Sequence, residues 1–215
     1  FFEQQTATHG VGNRSGLFAN FFEHEVRVAA LFNGGNIVSN LLELLVHVIV
    51  GERAVLDTVG VTLAGTVESA PKIVSEMLGL HENGGPCLVL GTRLHASPLD
   101  AVLVNATASH ALDFDNTSNT MAGHMTAAMI PALFAAGEAF GGSGRDVLLA
   151  HSAGFEVGAR LGHGLNFYHH EKGWHPTSTL GVFAVAAACA RLLGLTVEQT
   201  ETAMALSTSL AAGIK

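Results

Sequence analysis

From Ser97 onward the sequence consists almost entirely of helical patterns with well-marked ends, and this feature constrains the fold most. Ser97, Pro98 and Asp100 supply an N-cap, a proline at the first helical position and an acid in the first turn. Further capping pairs and helix-stopping glycines follow: Ser143 with Asp146, Thr196 with Gln199, and Gly141, Gly142 and Gly194. The sequence therefore predicts an all-α fold.

The composition is typical of a heavily buried helical protein or of one subunit of an assembly. Of the 215 residues, 48% are hydrophobic and 13% are charged, which excludes disorder and favours one domain. The net charge of -8, without a basic stripe, argues against a nucleic-acid partner, because such binding depends on Lys and Arg neutralising phosphates. The longest apolar run, residues 41–50, is too short to cross a bilayer, so we expect no membrane partner.

The cysteines indicate a reducing compartment. Cys87 and Cys189 lack partners at a metal-ligand or redox spacing, and we interpret both as reduced core residues. The opening segment also lacks the basic region of a secretory signal. We therefore expect a cytoplasmic protein.

The first part of the chain is the hardest to interpret. Residues 1–36 form a polar, glycine-containing lead, and residues 37–215 are predicted to form one helical domain. Within that domain, helices are expected over 37–50, 53–63 and 71–80, separated by Gly or Ser. The segment 84–97 contains glycines, a proline and a short apolar stretch, which predicts a small hairpin or an extended connection.

The helix that begins at Ser97 leads into the segment HALDFDNTSNTMAGH, which is rich in acids, hydroxyls and imidazoles. Four apolar residues recur at i, i+3, i+4 and i+7 and predict the buried face of this helix: Leu99, Val102, Leu103 and Ala106. His110 and Asp113 continue that face, as does Thr117 if the helix extends so far. Buried carboxylates and imidazoles need partners, so this pattern favours either a satisfied polar patch or a functional pocket.

A second dense patch, HGLNFYHHEKGWHPTSTLG, contains four histidines close to Lys172. Zinc-binding helical spacings are absent from it, so we expect no metal there. His175 lies just before a helix start, and His124 has the same position before an Ala-rich helix. Because helix N-termini favour anions, the two histidines predict a carboxylate site.

Four ordered motifs resemble the MmgE/PrpD family, which includes 2-methylcitrate dehydratase, cis-aconitate decarboxylase and iminodisuccinate epimerase. The matching segments are AVLDTVGVTLAG, HALDFDNT with the following Gly-His, GFEVGARLG and GWHPTSTLG, and together they cover about residues 51–215. The resemblance implies the helical large domain of that family, with the smaller α+β lid domain absent from this chain and the helical domain incomplete at its C-terminal end. It also implies a homodimer, a small di- or tricarboxylate substrate, and no metal or organic cofactor.

The resemblance also implies site residues. By motif position it assigns catalytic roles to Asp113, His124 and His175 and substrate binding to Thr117, and we add Lys172 as a carboxylate-binding candidate. A family lysine is expected beyond residue 215. The family commonly reads DFDDTH and GHPS where this chain differs, which affects substrate choice: the differing residues are Asn116, Ser118, Met125 and Thr126.

Three functions remain open at this point. One is a lyase, either a dehydratase or a decarboxylase, that abstracts a proton next to a carboxylate. Another is an isomerase or epimerase of an amino- or imino-dicarboxylate that uses the same site. The third is a non-catalytic helical dimerisation fragment. Histidine is the natural acid and base for the first two, with the order of His124 and His175 left open.

Overall fold

A computed structural model describes residues 37–165 and 167–214, with side chains from residue 49 onward. By its contacts the chain divides into two units, Phe1–Glu43 and Leu44–Lys215. The site below lies within the second unit. The lead predicted over residues 1–36 falls outside the described residues.

The described part is helical apart from one small hairpin, as the sequence predicts. The elements in chain order are α1 (Ile37–Gly65), α2 (Ser69–Met77), β1 (Cys87–Leu88), β2 (His95–Ala96), α3 (Pro98–His110), α4 (Met125–Phe140), α5 (Gly144–Leu165), α6 (Tyr168–Glu171), α7 (Pro176–Thr179), α8 (Gly181–Leu192) and α9 (Val197–Leu210). None of the helices in the described ranges is long and apolar enough to span a membrane.

The predicted break near Gly51 is wrong, because α1 continues through it from Ile37 to Gly65. Gly51 is buried against α5, where a Cβ atom would lie 3.1 Å from Cδ2 of Leu148. Gly65, at the other end of the helix, lies against α3, and a Cβ there would come within 1.9 Å of the Ala108 carbonyl oxygen. Both glycines therefore permit close packing between helices, Gly51 in the middle of α1 and Gly65 as its last residue.

Of the two structures predicted for residues 84–97, the small hairpin is the one present. Cys87 pairs with Ala96 and Leu88 with His95 in an antiparallel register. Asn105 of α3 ties the hairpin down, because its side-chain amide accepts a hydrogen bond from the Leu90 N–H (2.9 Å) and donates one to the Leu88 carbonyl (3.0 Å). The hairpin is thus fixed to the helix that leads into the polar loop.

The predicted helix starts at Ser97, Ser143 and Thr196 are confirmed. The Ser97 side chain accepts from the Asp100 N–H, and Thr196 forms a reciprocal capping box with Gln199. Ser143 and Asp146 bond reciprocally in the same way at the start of α5. Such caps stabilise a helix by roughly 1 kcal/mol each.

The predicted inward face of α3 is wrong. Leu99 is 82% exposed and Leu103 is 46% exposed, whereas the opposite face is buried. That buried face consists of smaller residues: Ala101, Val104, Asn105, Ala108 and Ser109. Small side chains allow α3 to approach α4 and the hairpin closely, which outweighs the larger transfer free energy of the leucines at this position. The spacing therefore predicted a helix correctly but assigned the wrong side of it to the core.

The main core surrounds α4. Met121, Met125, Met129 and Leu133 follow one another at intervals of four residues and are all buried. They pack against small residues of α5 and α8, including Ala150, Ala184 and Ala188. Because Met121 belongs to the loop before α4 and Met125 to its first turn, the core holds that loop in place.

Candidate active site

The polar segment between α3 and α4 is a tightly folded loop rather than a continuation of α3. Asp113 and Ala122 adopt left-handed backbone conformations, with φ angles of 54° and 51°. Ser118 and Gly123 exchange backbone hydrogen bonds of 2.9 and 3.3 Å, which close the far end of the loop. The helix that begins after Ser97 therefore ends at His110 and does not continue to Thr117.

The centre of the site is Asp115, which the sequence analysis did not select. Its side chain is fully buried. One carboxylate oxygen lies 2.9 Å from Nδ1 of His110, and the other lies 3.2 Å from Nδ1 of His124. The two imidazole rings stand 4.9 Å apart, centroid to centroid. A signal for this arrangement existed in the sequence, because His110 ends the helix and Asp115 follows within the same short loop.

The hydrogen bonds of this network shift the pKa values of the carboxylate and of the two imidazoles in opposite directions. Burial opposes the charged form of Asp115, but hydrogen bonds from His110 and His124 outweigh it and lower its pKa to about 2. The hydrogen bond to Asp115 is in turn the main reason that the pKa of His110 and that of His124 are raised, against the opposing effect of burial. The network therefore favours a buried carboxylate with imidazolium rings around it.

His175 lies beside this network, although 51 positions separate it from His124 in the sequence. Its backbone N–H donates to the Gly213 carbonyl (3.0 Å), and the backbone N–H of His124 donates to the Thr177 hydroxyl (2.9 Å). The starts of α4 and α7 thus meet. Burial lowers the pKa of His175, and the neighbouring charges of His110 and His124 lower it further.

The remaining predicted residues lie at the surface. The Asp113 side chain is 78% exposed, with Oδ1 3.7 Å from Nε2 of His124. Thr117 is exposed in the same loop. Lys172 is exposed as well, and its ammonium lies 4.9 Å from the centre of the Tyr168 ring. The structure therefore brings Asp113 to the histidines and leaves Thr117 and Lys172 outside the buried network.

Of the other histidines in the second patch, His170 lies close enough to His175 to help lower its pKa. His169 contacts the Thr179 hydroxyl through Nε2 (2.7 Å) and stacks on Trp174. His163 is exposed at the end of α5. Within this patch His170 therefore interacts with His175, whereas His163 lies at the surface.

Two of the residues that depart from the family pattern are bonded within the protein. The Thr126 hydroxyl donates to the Asn116 side-chain oxygen. The Asn116 backbone N–H donates to a carboxylate oxygen of Asp57 (3.2 Å), whose pKa is raised mainly by burial. Asn116 therefore anchors the loop to α1 and α4 and does not present its side-chain oxygen freely to a ligand.

Among the described residues, the end of α3 and the loop that follows it also hold a group of candidate metal ligands. One ligand atom each from His110, Asp113, Asp115 and His124 lies within 4.8 Å of the others. Direct hydrogen bonds between Asp115 and both imidazoles already satisfy three of these groups, which explains the cluster as a proton-bearing network.

A cavity of about 280 Å³ lies elsewhere, between the end of α1, α2, the hairpin and α3. Its lining includes Thr66, Lys72, Leu94 and Asn105 and none of the predicted site residues. The Lys72 ammonium there is bonded to the Val67 carbonyl. This cavity therefore does not belong to the histidine site.

Comparison with known proteins agrees with the four sequence motifs. The chain is 34% identical to human cis-aconitate decarboxylase over 164 residues, which are 74% of this chain and 34% of that protein. It is 30% identical to the cis-aconitate decarboxylase-like protein oryM of Aspergillus oryzae, over 76% of this chain and 36% of that protein. The chain thus spans about a third of the length of these relatives. The model of the MmgE/PrpD N-terminal domain matches residues 48–215, and the chain therefore belongs to the MmgE/PrpD family.

Proposed function

We propose that the protein containing this chain is a lyase that decarboxylates a small tricarboxylate of the cis-aconitate type. Two kinds of support favour this: the cis-aconitate decarboxylases among its relatives, and the group of imidazoles around Asp115 in a chain of net charge -8. A negatively charged protein needs a local positive site to bind a polyanion. Because the chain spans about a third of its relatives, the activity is proposed for the whole protein.

The observation that carries the proposal is the meeting of two histidines, at two helix starts, whose pKa values are shifted in opposite directions. The pKa of His124 is raised and that of His175 is lowered, and the two residues meet at the starts of α4 and α7. Neighbouring groups whose pKa values are pushed apart supply an acid and a base at one pH. We therefore assign His124 as the proton donor and His175 as the neutral base.

In decarboxylation, the bond between a carbon and its carboxylate breaks, CO₂ leaves, and the electron pair remains on the carbon. Protonation of that carbon by the His124 imidazolium completes the exchange. The reaction consumes this one proton, and the neutral imidazole of His175 accepts a replacement proton from solvent for the next turnover. Asp113 orients His124 from the rim, while Thr117 and Lys172 bind substrate oxygens.

The direct test is to supply the whole protein with cis-aconitate and to measure CO₂ release together with the organic product. We expect CO₂ and a dicarboxylate in equal amounts. Water addition or removal without CO₂ would indicate a dehydratase instead, and racemisation of an iminodisuccinate-type substrate would indicate the epimerase alternative. No turnover of any of these substrates would favour the non-catalytic alternative.

We also propose a homodimeric assembly and a cytoplasmic location. The large exposed leucines of α3, Leu99 and Leu103, support the homodimer that the family resemblance implies. The cytoplasmic location rests on the two unpaired cysteines, Cys87 and Cys189. Sedimentation of the whole protein tests the first of these, and fractionation of the source cells tests the second.

A further inference from the structure

The chain returns to the histidine site after α9. That helix ends at Leu210, and residues 211–214, which we call the strap, then run along the turn that carries His175. Trp174, the residue before this histidine, pairs with Ile214 of the strap in an antiparallel bridge. The strap therefore adds an extended segment to the edge of the site.

Two hydrogen bonds continue this attachment across the turn. The backbone N–H of His175 donates to the Gly213 carbonyl (3.0 Å), and the Ser178 hydroxyl donates to the Ala212 carbonyl. One of these bonds is made by the histidine itself and the other by the turn that follows it. The strap is thus fixed to the chain both at His175 and three residues beyond it.

The closest approach of the strap to the turn is at Gly213. This residue has a positive φ angle of 145°, which favours glycine. A Cβ atom there would lie 2.7 Å from both Cβ and Oγ of Ser178 and 3.8 Å from Cβ of His175. Glycine is therefore required by the backbone conformation and by the space, and it brings the strap against the base of the His175 side chain.

The other backbone group of His175 is held by its own turn. Its carbonyl accepts hydrogen bonds from the N–H groups of Ser178 and Thr179 (3.0 Å each) and from the Thr179 hydroxyl (3.2 Å). The same hydroxyl contacts Nε2 of His169 (2.7 Å). With the carbonyl held by the turn and the N–H held by the strap, the backbone of His175 is fixed on both sides, and so is the direction in which its side chain leaves the chain.

The surroundings of the His175 ring are set by the same packing. Burial is the main cause that lowers the pKa of His175, followed by the charges of His110 at the end of α3, His124 before α4 and His170 in α6. Because Gly213 lies against the base of the side chain, the strap contributes to that burial. A displaced strap would let water reach the ring more easily.

We propose that the strap positions the His175 imidazole in the site, with Gly213 and Ser178 as positioning residues that act through it. This inference rests on the proposed function only for the role of His175 as the base. Proton transfer requires heavy atoms within about 3 Å of one another, directly or through one water. A misplacement of about 1 Å is enough to lower a rate by roughly 100-fold.

The first test is an NMR titration of His175 in the full chain. Gly213→Ala pushes the strap away from Ser178, and Ser178→Ala removes the hydroxyl that holds it. Both should raise the pKa of His175 towards its ordinary value of 6.5, because the ring loses part of its cover. The matched control is Gly141→Ala, which also has a positive φ angle, of 91°, but whose Cβ would meet no atom of the described residues within 4 Å. This control should leave the pKa of His175 unchanged.

The second test is turnover of the whole protein. Gly213→Ala should lower kcat by about 10- to 100-fold, because the base is displaced from the reacting atoms. KM should change by less than about twofold, because His175 is assigned a role in the reaction rather than in binding. Ser178→Ala should act in the same direction but more weakly, and Gly141→Ala should leave both constants unchanged.

Circular dichroism first checks that Gly213→Ala is folded. If it is not, Ser178→Ala decides, because its exposed side chain is lost without disturbing the core. An unchanged pKa of His175 in the folded variants, or an equal change at His124, whose ring is bonded to Asp115 and not to the strap, would overturn the proposal. Absence of CO₂ release from cis-aconitate, with the pKa of His175 still responding to the strap variants, would reject only the decarboxylation and leave the positioning role supported.

Discussion

His124 and His175 occupy the same position relative to their helices and yet differ in their preferred charge. Each is the residue just before a helix start, and neither side chain caps its helix. The pKa of His124 is raised because Asp115 accepts a hydrogen bond from it, whereas burial and nearby imidazoles lower the pKa of His175. The fold brings the two histidines together. Hydrogen bonding to one buried carboxylate, Asp115, then raises the pKa of His124 alone.

The two helices also differ in how much their dipoles contribute to anion binding. The helix that follows His124 has 16 residues, whereas the helix that follows His175 has 4. A short helical turn has few aligned peptide dipoles, so it contributes little to anion binding. The two helix starts are equivalent by sequence position, but they differ in the length of the helix that follows.

The largest effect is expected on turnover, when either His124 or His175 is removed. His175→Ala and His124→Ala should each lower the turnover of the whole protein by about 100- to 10,000-fold, the usual contribution of a general acid or base. They should differ in the pH profile: the rate of His175→Ala should lose its fall on the acid side, and that of His124→Ala its fall on the alkaline side. Steady-state assays across pH measure both, with His163→Ala as the control. Identical profiles for the two variants would break the assigned order of acid and base.

A smaller effect is expected on stability. Asp115→Ala should lower the free energy of unfolding by about 2–4 kcal/mol, because it removes a buried charge that bonds two imidazoles. Asp113→Asn, in the same loop but exposed, should change it by less than about 0.5 kcal/mol. Urea denaturation followed by circular dichroism compares the two. Equal losses would show that Asp115 has no special place in the loop.

The stability should also depend on pH in a defined direction. The pKa of His110 and that of His124 are raised, so their contribution is complete below their unfolded value of 6.5 and is lost as pH rises through the raised values. The pKa of Asp115 is lowered from 3.8 to about 2, so its contribution is complete above 3.8 and is lost as pH falls through about 2. The network therefore stabilises most between 3.8 and 6.5.

His175 opposes this trend, because its lowered pKa costs stability as pH falls below 6.5. The informative quantity is therefore the difference in the free energy of unfolding between the wild type and Asp115→Asn, measured as a function of pH. The wild type should lose more stability than the variant when pH rises from about 6 to about 8, where histidine normally titrates. Parallel curves for the two proteins over that range would contradict the role given to Asp115.

The smallest effect is expected at Lys172. Its exposed ammonium lies over the Tyr168 ring, where such a contact is worth about 0.5–1 kcal/mol. Lys172→Ala should weaken citrate binding by only about two- to fivefold, because water screens the attraction between an exposed ammonium and a carboxylate. Calorimetry measures this change, and a loss as large as that of His124→Ala would move Lys172 into the centre of the site.

The sequence predicted local structure well and side-chain partners less well. The helix starts at Ser97 and Thr196 follow from capping chemistry that acts over three residues, and both are confirmed. The inward face of α3 was wrong because close packing with α4 and the hairpin selected the small residues, which periodicity alone does not reveal. Gly51 was interpreted as a helix end because its packing partner, Leu148, is far away in the sequence.

The site shows the same limit. The helical pattern puts Asp113 on the inward face of α3, and the family motif gives it a catalytic role, but α3 ends at His110 and the loop then turns through a left-handed residue at Asp113. This turn exposes Asp113 and buries Asp115. Family motifs assigned roles to His124 and His175, whereas the direction of each pKa shift depends on neighbours that only the folded chain supplies.

The most direct test of this account is an NMR titration of the individual histidines of the full chain, with His124 and His175 assigned by substitution. The account predicts a pKa above 6.5 for His124 and below 6.5 for His175. It also predicts that Asp115→Asn lowers the value for His124 and so narrows the gap between the two. Equal values in the wild type, a reversed order, or a gap that Asp115→Asn leaves unchanged would contradict the claim that one buried carboxylate divides the acid from the base.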